Sequence, residues 1–317
     1  MEKQQKYRIY LLLVFVMMAW GINVIMTKVI VAEFLPVTIT SLRVFTAGIS
    51  VFIILFFLKK VRIPTKKEFL YIVFGCFFNV VGHHYFLSIG LSKTSASNGG
   101  LILGLGPLLT TIVAFCFLGN KVTVWKMLGI ILGLTGVSFI VMEGSGGVSG
   151  ISLGDLFVFL AILSQAISFA IIKKASATLD PRLMTGYMLV FGSIILFIIS
   201  LFKEPHGLQG ITHGSMGVWL IFLASAIFGT AISHTIYNYS LGKVGVSEAA
   251  IFINLNPFFA LIAAVMFLGE KITLPQILGF VFIIIGVLFG SGALEEYFLQ
   301  SRQKRESVYL KKVKSSS

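Results

Sequence analysis

Charged side chains are scarce in this sequence, and their scarcity is the first constraint on its fold. Only 12% of the 317 residues are Asp, Glu, Lys or Arg, whereas 57% are hydrophobic. A soluble globular domain carries about 25% charged residues. The low charge content and a mean hydropathy of +0.97 exclude an ordinary soluble domain and indicate an integral membrane protein.

Acidic residues are absent from the middle of every long apolar run, although the chain has 12 of them. A proton or sodium pump usually exposes an acid near the membrane midplane. If proton coupling exists, His83 or His84 could carry it, because histidine titrates near neutral pH. Facilitated diffusion and exchange stay open. No Gly-Lys is followed by Ser or Thr, which excludes a P-loop and an ATP-driven pump within this chain. We expect no metal and no cofactor, because the two histidines are adjacent and no acid lies near them.

Ten apolar runs are long enough to cross a bilayer, which takes about 20 residues each. They are continuous rather than alternating, so they predict helices and not barrel strands. Cys76 and Cys116 lie within them as small buried apolar residues, without a disulfide framework. The predicted fold is an all-α integral membrane protein with spans at 9–31, 37–58, 69–90, 96–118, 124–142, 153–172, 184–202, 217–239, 246–268 and 275–292.

Basic residues are distributed unevenly between the loops. With the N-terminus inside, most of the 25 Lys and Arg residues fall in cytoplasmic segments, and only Lys93, Lys203 and Lys271 fall in outer loops. The positive-inside rule therefore predicts a multi-pass protein of the cell membrane with both termini cytoplasmic. The apolar run after residues 1–8 is too long for a signal peptide and lacks a cleavage site, so it is taken as the first span. The net charge of +13 is assigned to cytoplasmic loops and a basic tail at 293–317 that contacts solvent or lipid, not nucleic acid.

The chain contains an internal repeat. Shifted by 150 residues, 70–139 aligns without a gap on 220–289, and Pro107 meets Pro257, Gly119 meets Gly269 and Lys121 meets Lys271. The first two spans align on the sixth and seventh with a shift of 145. Each repeat, 9–145 and 146–292, then has five spans. An odd number inverts the second copy in the membrane, an arrangement typical of transporters with a site near the midplane.

Six spans carry a polar or small stripe at matched positions, and we expect these stripes to line a central cavity. The alternative is that they only hydrogen-bond neighbouring helices. Pro107 and Pro257 are predicted helix bends. The predicted cavity residues are Trp20, Asn23, Thr27, Asn79, His83, Gly104, Gln165, Ser168, Ser233, Asn254 and Asn256.

Two cations lie near the outer ends of the first two spans, Lys28 and Arg43. Either they snorkel to the interface, or they attract a substrate carboxylate in an outer vestibule, where we place them. His83 and His84 are adjacent and cannot share a helix face, so we expect one to point inward and the other to lie nearer the interface.

The fifth and tenth spans have few polar residues and each contains a Gly-x-x-x-Gly sequence, at Gly129 to Gly133 and at Gly286 to Gly290. Such sequences let two helices approach closely. The expected use is packing within the chain, and a homodimer contact is the alternative.

The two repeats share the sequence Pro-x11-Gly-x-Lys-x-Thr before a glycine-marked last helix, and the first span carries Ala19-Trp20-Gly21 with Asn23. This pattern resembles the EamA family of the drug/metabolite transporter superfamily over residues 9–292. The resemblance implies that the first four helices of each repeat surround a central cavity. It also implies secondary export of an amino-acid-like compound or another small metabolite, with the bilayer and a small-molecule substrate as partners. Uptake or exchange of another metabolite is the alternative, and an intramembrane enzyme or a receptor without transport activity is a further one.

Overall fold

The computed structural model describes residues 3–94, 102–119, 122–144, 152–268 and 273–290, and these residues are helical apart from short connections. The first half contains α1 (Lys3–Glu33), α2 (Pro36–Phe57), α3 (Lys66–Gly75), a π-helix (Cys76–Gly82), α4 (His83–Lys93), α5 (Gly106–Leu118) and α6 (Val124–Gly144). The second half contains α7 (Leu153–Ala175), α8 (Pro181–Lys203), α9 (Gly207–Gly210), a 3-10 helix (Ile211–His213), α10 (Met216–Ala224), a π-helix (Ser225–Ile232), α11 (Ser233–Val244), α12 (Val246–Ile251), a 3-10 helix (Phe252–Leu255), α13 (Asn256–Leu268) and α14 (Leu274–Gly290).

Six helical stretches among the described residues are long and apolar enough to cross a membrane. Even the shortest, Pro36–Phe57, has 22 residues. At 1.5 Å per residue it is about 33 Å long, enough for a hydrocarbon core of about 30 Å. The other five are Gln4–Glu33, Lys66–Gly90, Leu153–Ala175, Pro181–Lys203 and Met216–Val244, and three shorter apolar helices are Ile102–Leu118, Val124–Phe139 and Leu274–Gly290. The helical membrane fold is confirmed, and the count of ten spans stays a prediction.

Helix starts are fixed by local chemistry. Thr65 and Glu68 form a reciprocal capping box at the start of α3, and Ser152 and Asp155 form another at the start of α7. At the start of α2 the missing cap comes from outside the helix. The carboxylate of Glu204, at the end of α8, accepts hydrogen bonds from the backbone N–H groups of Val37 and Thr38 at 3.0 and 2.7 Å.

Helix packing pairs equivalent elements of the two predicted repeats. Helix α2 packs against α8, its counterpart, and α6 packs against its counterpart α14. Helix α4 packs against α7, as α11 packs against α1, and α5 packs against α7, as α13 packs against α1. This arrangement fits a two-repeat architecture.

The glycines of the fifth and tenth predicted spans are used inside the chain. A Cβ added at Gly129 would lie 2.6 Å from Cα of Gly290, and one added at Gly286 would lie 2.7 Å from the backbone N of Gly133. Side chains at these positions would force the two backbones apart. The Gly-x-x-x-Gly faces therefore join α6 to α14, and they are not free to form a homodimer contact.

The outer surface of the bundle is apolar. Phe57, Phe202 and Met216 expose 77%, 81% and 76% of their surface. Lipid tails solvate such side chains well, so their exposure is expected for helices that face a bilayer. Cys76 is buried as predicted, but Cys116 is exposed on this surface, because residue 116 lies on the outward face of α5.

Candidate functional site

Two π-helices lie at matched positions of the two halves, Cys76–Gly82 and Ser225–Ile232. A π-turn holds more residues per turn than an α-turn, and it often marks a functional site. In each π-helix, one backbone carbonyl accepts a hydrogen bond from the hydroxyl of a serine. Phe78 O accepts the hydroxyl of Ser164 at 2.8 Å, and Phe228 O accepts that of Ser233 at 2.6 Å.

The first π-helix changes the helix phase just before the paired histidines. His83 and His84 are both only 6% exposed. The expectation that one of them lies near the interface is therefore wrong, because other helices cover both: His83 contacts Gln165 of α7, and His84 contacts His234 of α11.

Polar side chains of the first π-helix, α4 and α7 are joined in one network. The amide of Asn79 donates to the hydroxyl of Ser168 at 2.8 Å, and Ser168 donates to the carbonyl of Gln165 at 2.6 Å. His83 Nδ1 lies 3.2 Å from the carbonyl of Ala161, and its Nε2 lies 3.3 Å from the amide nitrogen of Gln165. A carbonyl only accepts, so the proton of neutral His83 is on Nδ1 and Nε2 accepts from Gln165. The network thus fixes the tautomer of His83.

A second network occupies the matched place in the other half. The hydroxyl of Ser225 donates to Asn23 Oδ1 at 2.5 Å. Arg43 Nη1 donates to Ser225 at 3.3 Å and to the hydroxyl of Thr230 at 2.8 Å. Asn23 also packs directly on Gly229, which has no side chain to separate the two helices. This network ties α1 and α2 to the second π-helix.

The position of Arg43 differs from the sequence prediction. Its side chain is 5% exposed and is hydrogen-bonded to hydroxyls in the middle of the Met216–Val244 helix. It therefore neither snorkels nor lies in an open vestibule. Residue 43 is seven residues inside α2, about 10 Å from the helix end. The guanidinium stays inside the bundle, and does not extend to the interface, because hydroxyls of the second π-helix accept its hydrogen bonds. The side chain of Lys28 lies outside the described residues.

Between the two networks lies a row of aromatic and imidazole rings. His83 and His84 have ring centroids 5.0 Å apart, and His84 and His234 are 5.9 Å apart. Trp20 lies 5.2 Å from His234 and 5.0 Å from Tyr237. Tyr237 was not predicted. The signal that could have revealed it is its place three residues after His234 on one helix face.

Three polar atoms of this row are buried and have no hydrogen-bond partner in the part of the chain that the structure describes. They are Trp20 Nε1, His84 Nε2 and the hydroxyl oxygen of Tyr237. A buried polar atom without a partner costs about 1–3 kcal/mol, so such atoms need an explanation. The rings of Trp20 and Tyr237 contact each other, and His84 is linked to them through His234.

The remaining predicted residues lie elsewhere. Gly104 packs on Val137 of α6, and the amide of Asn254 packs on Gly133 of the same helix. Asn254 is 1% exposed, and among the described residues both of its amide atoms lack hydrogen-bond partners, as does Asn256 Oδ1. Gly104 and Asn254 thus both pack on α6. Thr27 is half-buried on α1.

In both halves the α-helix is interrupted just before the proline, at Leu105 and at Phe252–Leu255. Pro107 and Pro257 therefore each lie in the first turn of a new helix.

The EamA-like transporter family matches the chain twice, over residues 7–142 and 152–291. The chain belongs to this family. The double match shows that the sequence contains two related units. Within the described part of the chain, no group of three His, Cys, Asp or Glu residues is placed to hold a metal ion.

Relatives agree with this assignment. The chain is 31% identical over 293 residues to the uncharacterized transporter YyaM of Bacillus subtilis (strain 168), covering 90% of this chain and 94% of that protein. It is 25% identical over 284 residues to an uncharacterized transporter of Synechocystis sp., covering 84% and 85%. A solved crystal structure superposes with a TM-score of 0.76 at 15% identity, covering 92% of this chain and 99% of the other. The resemblance stated from the sequence is confirmed. The protein is a multi-pass membrane transporter of small molecules and not an enzyme.

Proposed function

We propose that the protein is a secondary transporter of the plasma membrane that exports an amino-acid-like compound by alternating access of its two repeats. The observation that carries the proposal is the buried polar region between the repeats, in which the ring row lies between two networks at matched positions. Polar groups are costly inside a membrane helix bundle, and they are commonly retained where a substrate passes. The alternative role of these stripes, helix adhesion alone, does not account for the unpartnered atoms of the row.

Contacts at one end of the bundle support alternating access. The carboxylate of Glu248, in α12, lies 3.2 Å from the ammonium of Lys6 and accepts a short hydrogen bond from Tyr10, both in α1. In the proposed topology, with both termini cytoplasmic, this end faces the cytoplasm. The contacts then close the site on the cytoplasmic side. A matching closure on the outer side would alternate with it as the inverted repeats exchange conformations.

The proposal is tested by flux. Metabolites released by cells with and without the protein are compared first, and the compound that differs is then loaded into liposomes containing the purified protein. We expect saturable release of the unchanged compound. Chemical conversion of the compound, or saturable binding without release, would contradict a transporter of this substrate.

A matched pair of variants tests the role of the polar region. Asn23→Leu removes the acceptor of the Ser225 hydroxyl, and we expect it to lower flux while the protein still inserts. Val24→Leu, at the adjacent residue, changes a side chain that is 42% exposed on the outer surface, so flux should be retained. Equal flux from both variants would count against the polar region as the substrate path.

A further inference from the structure

Arg43 is a buried cation that has no anionic partner among the residues that the structure describes. Among the buried side chains of the described residues it is the only Lys or Arg. The ion pairs of those residues use Glu68, Asp180 and Glu248, which lie at helix ends, and none of them includes Arg43. A charge buried in a membrane bundle is expensive unless a counter-charge or a full set of hydrogen bonds compensates it.

The hydrogen bonds of Arg43 leave most of the guanidinium unused. Both bonds come from Nη1, to Thr230 and Ser225. A guanidinium has five N–H donors in a planar fork. The Nε edge and the Nη2 group have no protein acceptor within the described part of the chain. The two hydroxyls thus hold one side of the fork in place and leave the other available.

Other unpartnered groups nearby are also donors. Trp20 Nε1 carries an N–H and can only donate, and the hydroxyl of Tyr237 has a hydrogen to donate. Trp20 is one turn from Asn23, which shares the Ser225 hydroxyl with Arg43. The region therefore has a positive charge and spare donors, and the described residues supply it with no negatively charged acceptor.

We propose that Arg43 binds the carboxylate of the transported compound, with Trp20 and Tyr237 as additional donors and with Ser225 and Thr230 as residues that position the guanidinium. A carboxylate matches a guanidinium fork bidentately, and its single negative charge balances the one buried cation. A phosphate dianion would leave an uncompensated charge in the bundle. The inference rests on the proposed transport function and names the chemical group by which that site recognises its substrate.

The experiment compares each standard L-amino acid with its amide as a ligand of the purified protein in detergent. The amide keeps the side chain and the amino group and removes the negative charge. Binding is measured as the rise in unfolding temperature over a range of concentrations. We expect at least one acid to bind the wild type, and its amide to bind about 10- to 100-fold more weakly, the range expected for loss of a hydrogen bond to a charged group.

Three variants isolate the guanidinium. Arg43→Met introduces the residue that the second repeat has at the matched position, Met188, so the helix packing has a precedent in the chain. The Arg43→Met variant should bind the acid only as weakly as the wild type binds the amide. Arg43→Lys keeps the positive charge but lacks the planar guanidinium that binds a carboxylate bidentately, so its affinity for the acid should be intermediate. Lys174→Met removes an exposed cation of α7 and should bind as the wild type does.

The outcomes separate this inference from the transport function. Equal binding of acid and amide, wild-type affinity in Arg43→Met, or no acid that binds would overturn the carboxylate site. If an acid binds through Arg43 but is not moved in liposomes, the site stands and transport of that compound fails. If a neutral or cationic compound is moved equally by the wild type and Arg43→Met, transport stands and the site fails.

Discussion

Replacement of Asn254 by Leu should make the protein more stable and less active. The side chain is 1% exposed, and neither its amide nitrogen nor its amide oxygen has a hydrogen-bond partner. An unpartnered polar group in the protein interior costs about 1–3 kcal/mol. Leucine keeps the branched shape of asparagine and removes both polar atoms, so the free energy of unfolding should rise by about that amount.

Asn79→Leu is the matched control, with the opposite expected sign. Asn79 is also 1% exposed, but its amide donates to Ser168 at 2.8 Å. Loss of a satisfied hydrogen bond lowers stability by about 0.5–1.5 kcal/mol, and measured values inside membrane bundles fall in the same range. The two asparagines thus differ in their partners and not in their burial.

Both changes in stability are measured by thermal unfolding in detergent, as the fraction of the protein that stays monodisperse at each temperature. We expect the unfolding temperature to rise by a few degrees in Asn254→Leu and to fall in Asn79→Leu. Flux in liposomes should fall in both. A lower unfolding temperature in Asn254→Leu would refute the reasoning, because it would mean that the amide of Asn254 is satisfied or that the methyl groups do not fit against Gly133.

Three further predictions concern the scaffold. Gly129→Ala should lower the free energy of unfolding by about 1–3 kcal/mol by separating α6 from α14, whereas Gly210→Ala, which meets nothing within 4 Å, should have almost no effect on the unfolding temperature. Glu204→Ala removes the acceptor of two N–H groups at the start of α2 and should cost about 0.5–2 kcal/mol in the same assay, while Glu204→Gln should recover part of the loss. Burial raises the pKa of the Asp180 carboxyl, but hydrogen bonds from Arg182 outweigh this and hold that pKa below its usual range. The stability that Asp180 contributes is therefore present above the unfolded pKa of about 3.9 and is lost as the pH falls through the lower folded pKa, so the difference in unfolding temperature between wild type and Asp180→Asn should shrink in that window.

Most of the scaffold could be predicted from the sequence, because the bilayer restricts the structures that a membrane-spanning segment can form. A backbone in hydrocarbon must form its hydrogen bonds within the segment, so a long apolar run is a helix. The internal repeat and its glycine, proline and lysine positions identified the family, and the double match over 7–142 and 152–291 confirmed it. Whether the Gly-x-x-x-Gly faces meet within the chain could not be decided from the sequence, because the sequence does not show which helix each face meets.

The candidate site was predicted less well, for two physical reasons. Burial of both His83 and His84 depends on α7 and α11, two helices that are distant in sequence and contact different sides of α4. Burial of Arg43 depends on hydroxyls supplied by a helix that is distant in sequence, at Ser225 and Thr230. Neither feature leaves a local signal. The inverted orientation of the repeats and the role of the stripes in a substrate cavity stay predictions.

Matched contacts explain why the two repeats keep their packing with different residues. At one pair of positions a large Asn79 meets a small Ser168, and at the matched pair a small Gly229 meets a large Asn23. Interiors are close-packed, so the volume of a pair is constrained more tightly than the identity of either member.

The same exchange accounts for the buried cation Arg43. In the second repeat Met188 packs on Gly75, which has no side chain. At the matched pair Arg43 packs on Ser225, whose hydroxyl accepts a hydrogen bond from the guanidinium. Met and Arg have long, flexible stems of similar reach, so either fills the space beside a small residue, but only the pair with a hydroxyl can accept the charge. A repeat can therefore acquire a buried cation without changing its fold, provided that the small partner becomes polar at the same time.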